Sequence, residues 1–217
     1  MTAGVCVMLL AAWIFGFIAS EMVANTGISA FDAPLATWFH ARRDSRWTPV
    51  MLFITHWHAP AGVLVMAALF GAWLYAKRWH YWLLALVLSV PGGMLLNVLI
   101  KYIFRRARPT FDDPLITLAT YSFPSGHTAG AAFFYGLLAA FLVCHCQHWG
   151  AKLAAVAGAL CMVALVALSR VYLGAHYLSD VLAAIAEGGA WLAICITAVS
   201  TLRRRRPGDA RTSTPGE

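Results

Sequence analysis

Charge is what this 217-residue chain has least of: only 12% of its residues are Asp, Glu, Lys or Arg, against 61% hydrophobic, with a mean hydropathy of +0.71. That balance excludes an ordinary soluble domain and a disordered chain, and it places the protein in the membrane class as one integral domain. Acidic residues are scarcer still, nine against sixteen basic ones, and they form no carboxylate cluster of the kind a divalent metal needs. The formal charge of +7 does not indicate nucleic acid, because the basic residues end apolar segments instead of forming a stripe interleaved with aromatics. Five cysteines, all in or at the ends of apolar runs, leave no pairing in the loops, so no structural disulfide is expected. No Lys or Arg precedes the first apolar run, which argues for a retained span over a cleaved signal peptide.

What is present is a series of long apolar runs. Spans are expected near residues 5–20, 61–76, 81–104, 127–146, 151–168 and 178–200, giving an all-α, six-transmembrane-helix bundle over residues 1–202 and a basic, disordered tail over 203–217. Between the first two, Phe31, Leu35, Trp38 and Phe39 recur at helical spacing before Arg42, Arg43 and Arg46, which reads either as a helix in the interface or as a connector packed on the bundle. A further short helix is expected over Pro49 to Trp57, ended by Pro60, with His56 and His58 as interfacial residues. Cys144, His145, Cys146 and His148 wrap around one helix end and do not make a tetrahedral zinc set. Glu187, inside the last span, is read as an acid facing the bundle interior, against Asn97 or the backbone of a small residue.

Six spans bring the ends of spans 3 and 5 and the beginnings of spans 4 and 6 to one side, and three charged segments with them. Lys101 and Arg108 lie on the first, Ser125-Gly126-His127 on the second, and Arg170, His176 and Asp180 on the third. Three cations brought together repel one another unless an anion joins them, so a multiply charged oxyanion is the natural guest. Pro124-Ser125-Gly126-His127 stands where a loop becomes a helix N-terminus, with free N–H groups and the positive end of the dipole; Ser125 can also cap that helix. His176 and Asp180 are four residues apart, on one face of a helix turn, as a histidine oriented by a carboxylate would be. Arg105 and Arg106 lie between the two cations of the first segment and are read as loop or headgroup contacts.

Lys-x6-Arg-Pro, Pro-Ser-Gly-His and Ser-Arg-x5-His-x3-Asp, in this order over residues 101–180, resemble the signature of the type 2 phosphatidic acid phosphatase superfamily, and six spans extend the likeness to its membrane branch. The resemblance implies a nucleophilic His176 that forms a phosphohistidine, Asp180 as its partner, His127 as general acid, and Lys101, Arg108, Ser125, Gly126 and Arg170 as a phosphate cradle. It implies no metal and no cofactor, since positioning and stabilisation of equatorial charge supply most of what phosphoryl transfer needs. The implied substrate is a membrane lipid phosphate or diphosphate: undecaprenyl diphosphate first, then phosphatidylglycerol phosphate or phosphatidic acid. A lipid A or glycolipid phosphatase, a phosphotransferase, a vanadate-dependent haloperoxidase and a non-catalytic lipid-phosphate flippase are the rivals. The implied setting is the bacterial plasma (inner) membrane, with both termini cytoplasmic and the site facing outward. Basic residues tie at eight on either side, so the inside-positive rule needs some outer ones to be held by function.

Overall fold

Long apolar runs with little charge can satisfy their backbone polar groups in lipid only as helices, and helices are what form. The structure is a computed structural model describing residues 2–116 and 118–205, and among them there are eight α-helices and no strand. They are α1 (Thr2–Ala24), α2 (Asp32–Ala41), α3 (Trp47–Trp57), α4 (Pro60–Ala76), α5 (His80–Phe104), α6 (Gly126–His145), α7 (Trp149–Tyr172) and α8 (Leu178–Arg205), with a 3-10 turn at Gly27–Phe31. Five of them, α1, α5, α6, α7 and α8, are each long and apolar enough to cross a bilayer. A sixth candidate is a bent pair: α4 alone has 17 residues, and it passes the same test together with α3, from which it bends by 55°, as a broken span or a re-entrant loop does. Pro60 opens α4, where a missing N–H removes no hydrogen bond, so the chain can restart a helix there but not continue one through it.

α6 is the centre of the bundle, packing against α4, α5, α7 and α8. Its Phe133, Leu137 and Phe141 meet Val63 and Leu74 of α4, Leu86 and Val90 of α5, and Ala184 and Val199 of α8. Small residues set the approach: a Cβ on Gly188 of α8 would lie 2.5 Å from that of Ala132 on α6, so only glycine fits that crossing. α1 rests mainly on α8 and turns Leu9, Leu10 and Trp13 outward, as expected of a surface that meets acyl chains.

Four expectations are adjusted. Residues 27–41 form a 3-10 turn and α2, which packs on α7 and α8 while Phe31 and Trp38 stay exposed, so the segment is both interfacial and bundle-packed. Asp32, at its start, is buried. His58 is buried instead of interfacial: its Nδ1 pairs with the Ile54 carbonyl at 2.7 Å and its Nε2 with the Tyr135 hydroxyl at 2.8 Å, bracing the bend between α3 and α4. The expected tail begins too early, because α8 runs through Arg203 to Arg205; residues 206–217 lie outside the described residues. At the other end of the bundle, His145 stacks on Phe141 at 4.2 Å and on Trp79 at 4.7 Å, which makes it part of an aromatic cluster.

Candidate active site

The last turn of α5, the connector over residues 105–125, the first turn of α6, the end of α7 and the start of α8 meet at one end of the bundle. The connector leaves α5 at Arg105, whose left-handed backbone (φ 48°) turns the chain sharply away from the helix axis. It is anchored by Phe123, fully buried between Phe104 (5.0 Å between ring centres) and Phe15 (5.8 Å). Lys101 stitches it from below, its ammonium donating to the carbonyls of Tyr121, Ser122 and Pro124 at 3.0, 3.3 and 2.5 Å. All three ammonium protons are engaged there, so Lys101 shapes the loop as well as adding charge.

His176 sits in the five-residue turn between α7 and α8 and is 1% exposed. Its Nδ1 faces Asp180 Oδ2 at 3.4 Å, and its Nε2 accepts from Arg108 Nη1 at 3.1 Å. That pattern assigns the ring proton to Nδ1 and turns the Nε2 lone pair to the Arg108 guanidinium. Burial is the main reason the imidazole is pushed down to about 3, outweighing the opposing pull of Asp180, so the ring is neutral at physiological pH. Asp180, fully buried, is held on both oxygens: Oδ1 accepts from Arg106 Nη1 at 2.5 Å, and Oδ2 accepts from the Tyr177 backbone N–H at 2.9 Å and from the Ser122 hydroxyl. A buried carboxylate with this many donors stays ionised and cannot rotate freely.

Arg108 is spread over the connector and the turn. It donates to the Thr120 carbonyl at 2.6 Å, the Ala175 carbonyl at 2.7 Å, the Thr120 hydroxyl at 2.9 Å and the Tyr121 carbonyl at 3.1 Å. Burial lowers its pKa from the ordinary guanidinium value. Arg170 is different. Its guanidinium is 1% exposed, Nη1 donates to the Thr55 hydroxyl of α3, and Nε and Nη2 have no partner among the described residues. A buried cation with two unengaged donors has the chemistry to receive an oxyanion.

Two cavities meet here. One of about 330 Å³ is lined by Lys101, Arg108, Gly126, His127 and His176, with Asn97 and Met94 deeper on α5. A second, of about 430 Å³, is lined by Thr55, His56, Leu118, His127 and Arg170. His127 and Leu118 border both. Ser125 is at the N-cap position of α6 but makes no side-chain cap bond and lines neither cavity; its hydroxyl accepts from Thr128 at 3.0 Å. The structure therefore gathers the expected residues, with Ser125 standing behind the surface that the others form.

Sequence reasoning missed four residues. Arg106, read as a loop or headgroup contact, is instead paired with Asp180 and, at 2.7 Å, with Asp32. Ser122 and Thr55 carry no signature of their own, and the reach of Asp32 across 74 residues of chain leaves no local pattern. Arg105 fits its expected part, its Nε turning back to the Tyr102 carbonyl. Glu187 does accept from Asn97, at 2.8 Å.

A family model described as the PAP2 superfamily matches residues 82–204. Phosphatidylglycerophosphatase B of Bacillus subtilis (strain 168) is 32% identical over 181 residues, covering 81% of this chain and 87% of its own. The crystal structure of the first transmembrane PAP2 type phosphatidylglycerolphosphate phosphatase from Bacillus subtilis superposes with a TM-score of 0.80 at 29% identity, over 95% of this chain and all of that one. The crystal structure of Aquifex aeolicus LpxE shares the fold, with a TM-score of 0.61 at 20% identity over 77% of this chain and 95% of that one. Because the family model spans all three charged segments, and the relatives align along nearly the whole bundle, this multi-pass membrane protein belongs to the PAP2 superfamily of phosphatases.

Proposed function

We propose that the chain is a metal-independent lipid phosphatase that works through a phosphohistidine at His176. The observation that carries this is the orientation of His176: Nδ1 is turned to Asp180, while the Nε2 lone pair stands beside Arg108 on a cavity shared with Lys101 and His127. The phosphate's equatorial oxygens meet Arg108, the unengaged Nε and Nη2 of Arg170, and the N-terminal N–H groups of α6 at Gly126. As phosphate binds, Arg108 Nη1 turns from His176 Nε2 to an equatorial oxygen; the freed Nε2 attacks phosphorus, the bond to the lipid oxygen breaks, and His127, entering the step as imidazolium beside the bound anion, donates its proton to that oxygen as the lipid leaves. Water, giving its proton back to His127, then attacks phosphorus; the P–N bond breaks and returns its pair to His176. Lys101 keeps the 121–124 loop against the site and adds positive charge to it.

For substrate, the Bacillus subtilis phosphatidylglycerolphosphate phosphatase, similar in sequence and in structure, favours phosphatidylglycerol phosphate; undecaprenyl diphosphate and phosphatidic acid rest on the motifs and come behind it. This reorders the expectation from the motifs alone, which put the prenyl diphosphate first. The Arg203 to Arg205 end of α8 suits the cytoplasmic side, which supports an outward-facing site at the opposite end of the bundle. Phosphate release from purified protein, across prenyl, glycerophospholipid and glycolipid phosphates at matched micelle concentration, tests the reading. Turnover lost on His176→Ala supports it; undiminished turnover in that variant overturns it, and no turnover of any substrate favours a lipid-phosphate flippase.

A further inference from the structure

Arg106 falls inside the Lys101 to Arg108 spacing without being part of it. Its guanidinium nevertheless joins three segments. Nη1 donates to Asp180 Oδ1 at 2.5 Å and to the Ser179 hydroxyl at 2.7 Å, and Nη2 donates to Asp32 Oδ2 at 2.7 Å. The guanidinium lies 4.4 Å over the ring of Tyr177. Asp32 closes the circuit, its Oδ1 accepting from the Ser179 N–H at 2.9 Å and its Oδ2 from the Ser179 hydroxyl at 2.5 Å. Asp32, Arg106, Asp180 and Ser179 thus form a ring that ties α2 and the connector to the first turn of α8.

We propose that Arg106 and Asp32 are positioning residues for the reaction, Arg106 fixing the Asp180 carboxylate and Asp32 fixing Arg106. The inference rests on the reading that His176 and Asp180 are the reactive pair. Asp180 can orient the His176 ring only if the carboxylate plane is fixed, and that takes a partner on Oδ1 as well as the donors on Oδ2. A planar guanidinium on Oδ1 does, because the bond is directional and charge-assisted. Arg106 could not hold that plane if its own side chain swung, and Asp32 at its other terminal nitrogen, with Tyr177 beneath, prevents that. Two carboxylates facing one guanidinium also keep it charged: burial works against the charge, but Asp180 and Asp32 outweigh it and raise its pKa. One consequence is that α2, a helix at the bundle surface, belongs to the support of the active site.

The test uses the full-length enzyme in detergent, with dioctanoyl phosphatidic acid and dioctanoyl phosphatidylglycerol phosphate as probes. Arg106→Ala is expected to lower kcat about 10- to 100-fold, the scale at which removing an orienting partner acts, with KM within about twofold. Arg106→Lys and Asp32→Asn, each retaining one link, are expected to fall between. Added methylguanidinium is expected to restore part of the Arg106→Ala rate without changing wild type. The acid limb of kcat/KM is expected to move to higher pH in Arg106→Ala, since Asp180 then acts on His176 undiluted while Arg108, Arg170, Lys101 and His127 around that ring are unchanged. A purely structural ion pair would shift only the thermal midpoint. A folded Arg106→Ala with normal kcat, or one with raised KM and normal kcat, overturns the proposal; if that variant does not fold, normal kcat in both Arg106→Lys and Asp32→Asn does so. An inactive wild type, or an active His176→Ala, overturns the phosphatase reading itself and this inference with it.

Discussion

Arg170→Met should abolish activity and yet leave the resting protein as stable as wild type or more so. Arg170 is 1% exposed, with one hydrogen bond from Nη1 to Thr55 and, among the described residues, no partner for Nε or Nη2. Each buried donor left unengaged costs ~1–3 kcal/mol, so the two together weigh against the fold by ~2–6 kcal/mol. Methionine fills similar volume and removes both, while losing one charge-assisted bond worth ~1.5–3 kcal/mol. The balance runs from ~1 kcal/mol against the variant to ~4.5 kcal/mol in its favour and centres on the favourable side, whereas a typical substitution destabilises by ~1 kcal/mol. An oxyanion should reverse the order, because at a hundredfold over its Kd a ligand adds ~2.7 kcal/mol to wild type and the variant has lost the seat. Thermal unfolding in detergent, followed by tryptophan fluorescence with and without orthovanadate, reads both effects. An Arg170→Met protein several degrees less stable than wild type, with its midpoint still raised by orthovanadate, would refute the reasoning.

Two other outcomes follow from the same site. Because guanidinium groups and a helix N-terminus supply the positive charge, phosphate release should survive EDTA within about twofold; loss on chelation with recovery on Mg²⁺ would count against this. Because burial holds His176 near 3 when folded, against ~6.5 in an unfolded chain, its contribution to stability is complete above pH ~6.5 and declines as pH falls towards 3. Thermal midpoints measured from pH 7 to 4 should therefore fall less steeply in His176→Asn than in wild type, and parallel slopes would contradict that assignment.

The bundle was legible in the sequence because lipid leaves the backbone one solution, and the six apolar runs map onto α1 and α4 to α8. The convergence of Lys101, Arg108, His127, Arg170, His176 and Asp180 followed from counting crossings. What periodicity could not reach were bonds between distant segments. Arg106 looked like a spare loop cation because Asp32 lies 74 residues before it, and Thr55 gave no hint that it would meet Arg170 115 residues on. His58 looked interfacial because its position beside Trp57 and Pro60 suggests a membrane edge, whereas the 55° bend folds it inward onto Tyr135. Lys101 belongs to the converging cluster by its place in the sequence, but its three bonds to the 121–124 carbonyls depend on the path of a connector that has no repeat to read.

The central claim is that phosphorus passes through His176, and covalent trapping tests it most directly. Enzyme quenched in alkali during steady-state turnover of a lipid labelled in its terminal phosphate should carry acid-labile, alkali-stable label on the peptide that contains His176, and His176→Ala should carry none. Label on another residue, or turnover by His176→Ala at the wild-type rate, would contradict the mechanism.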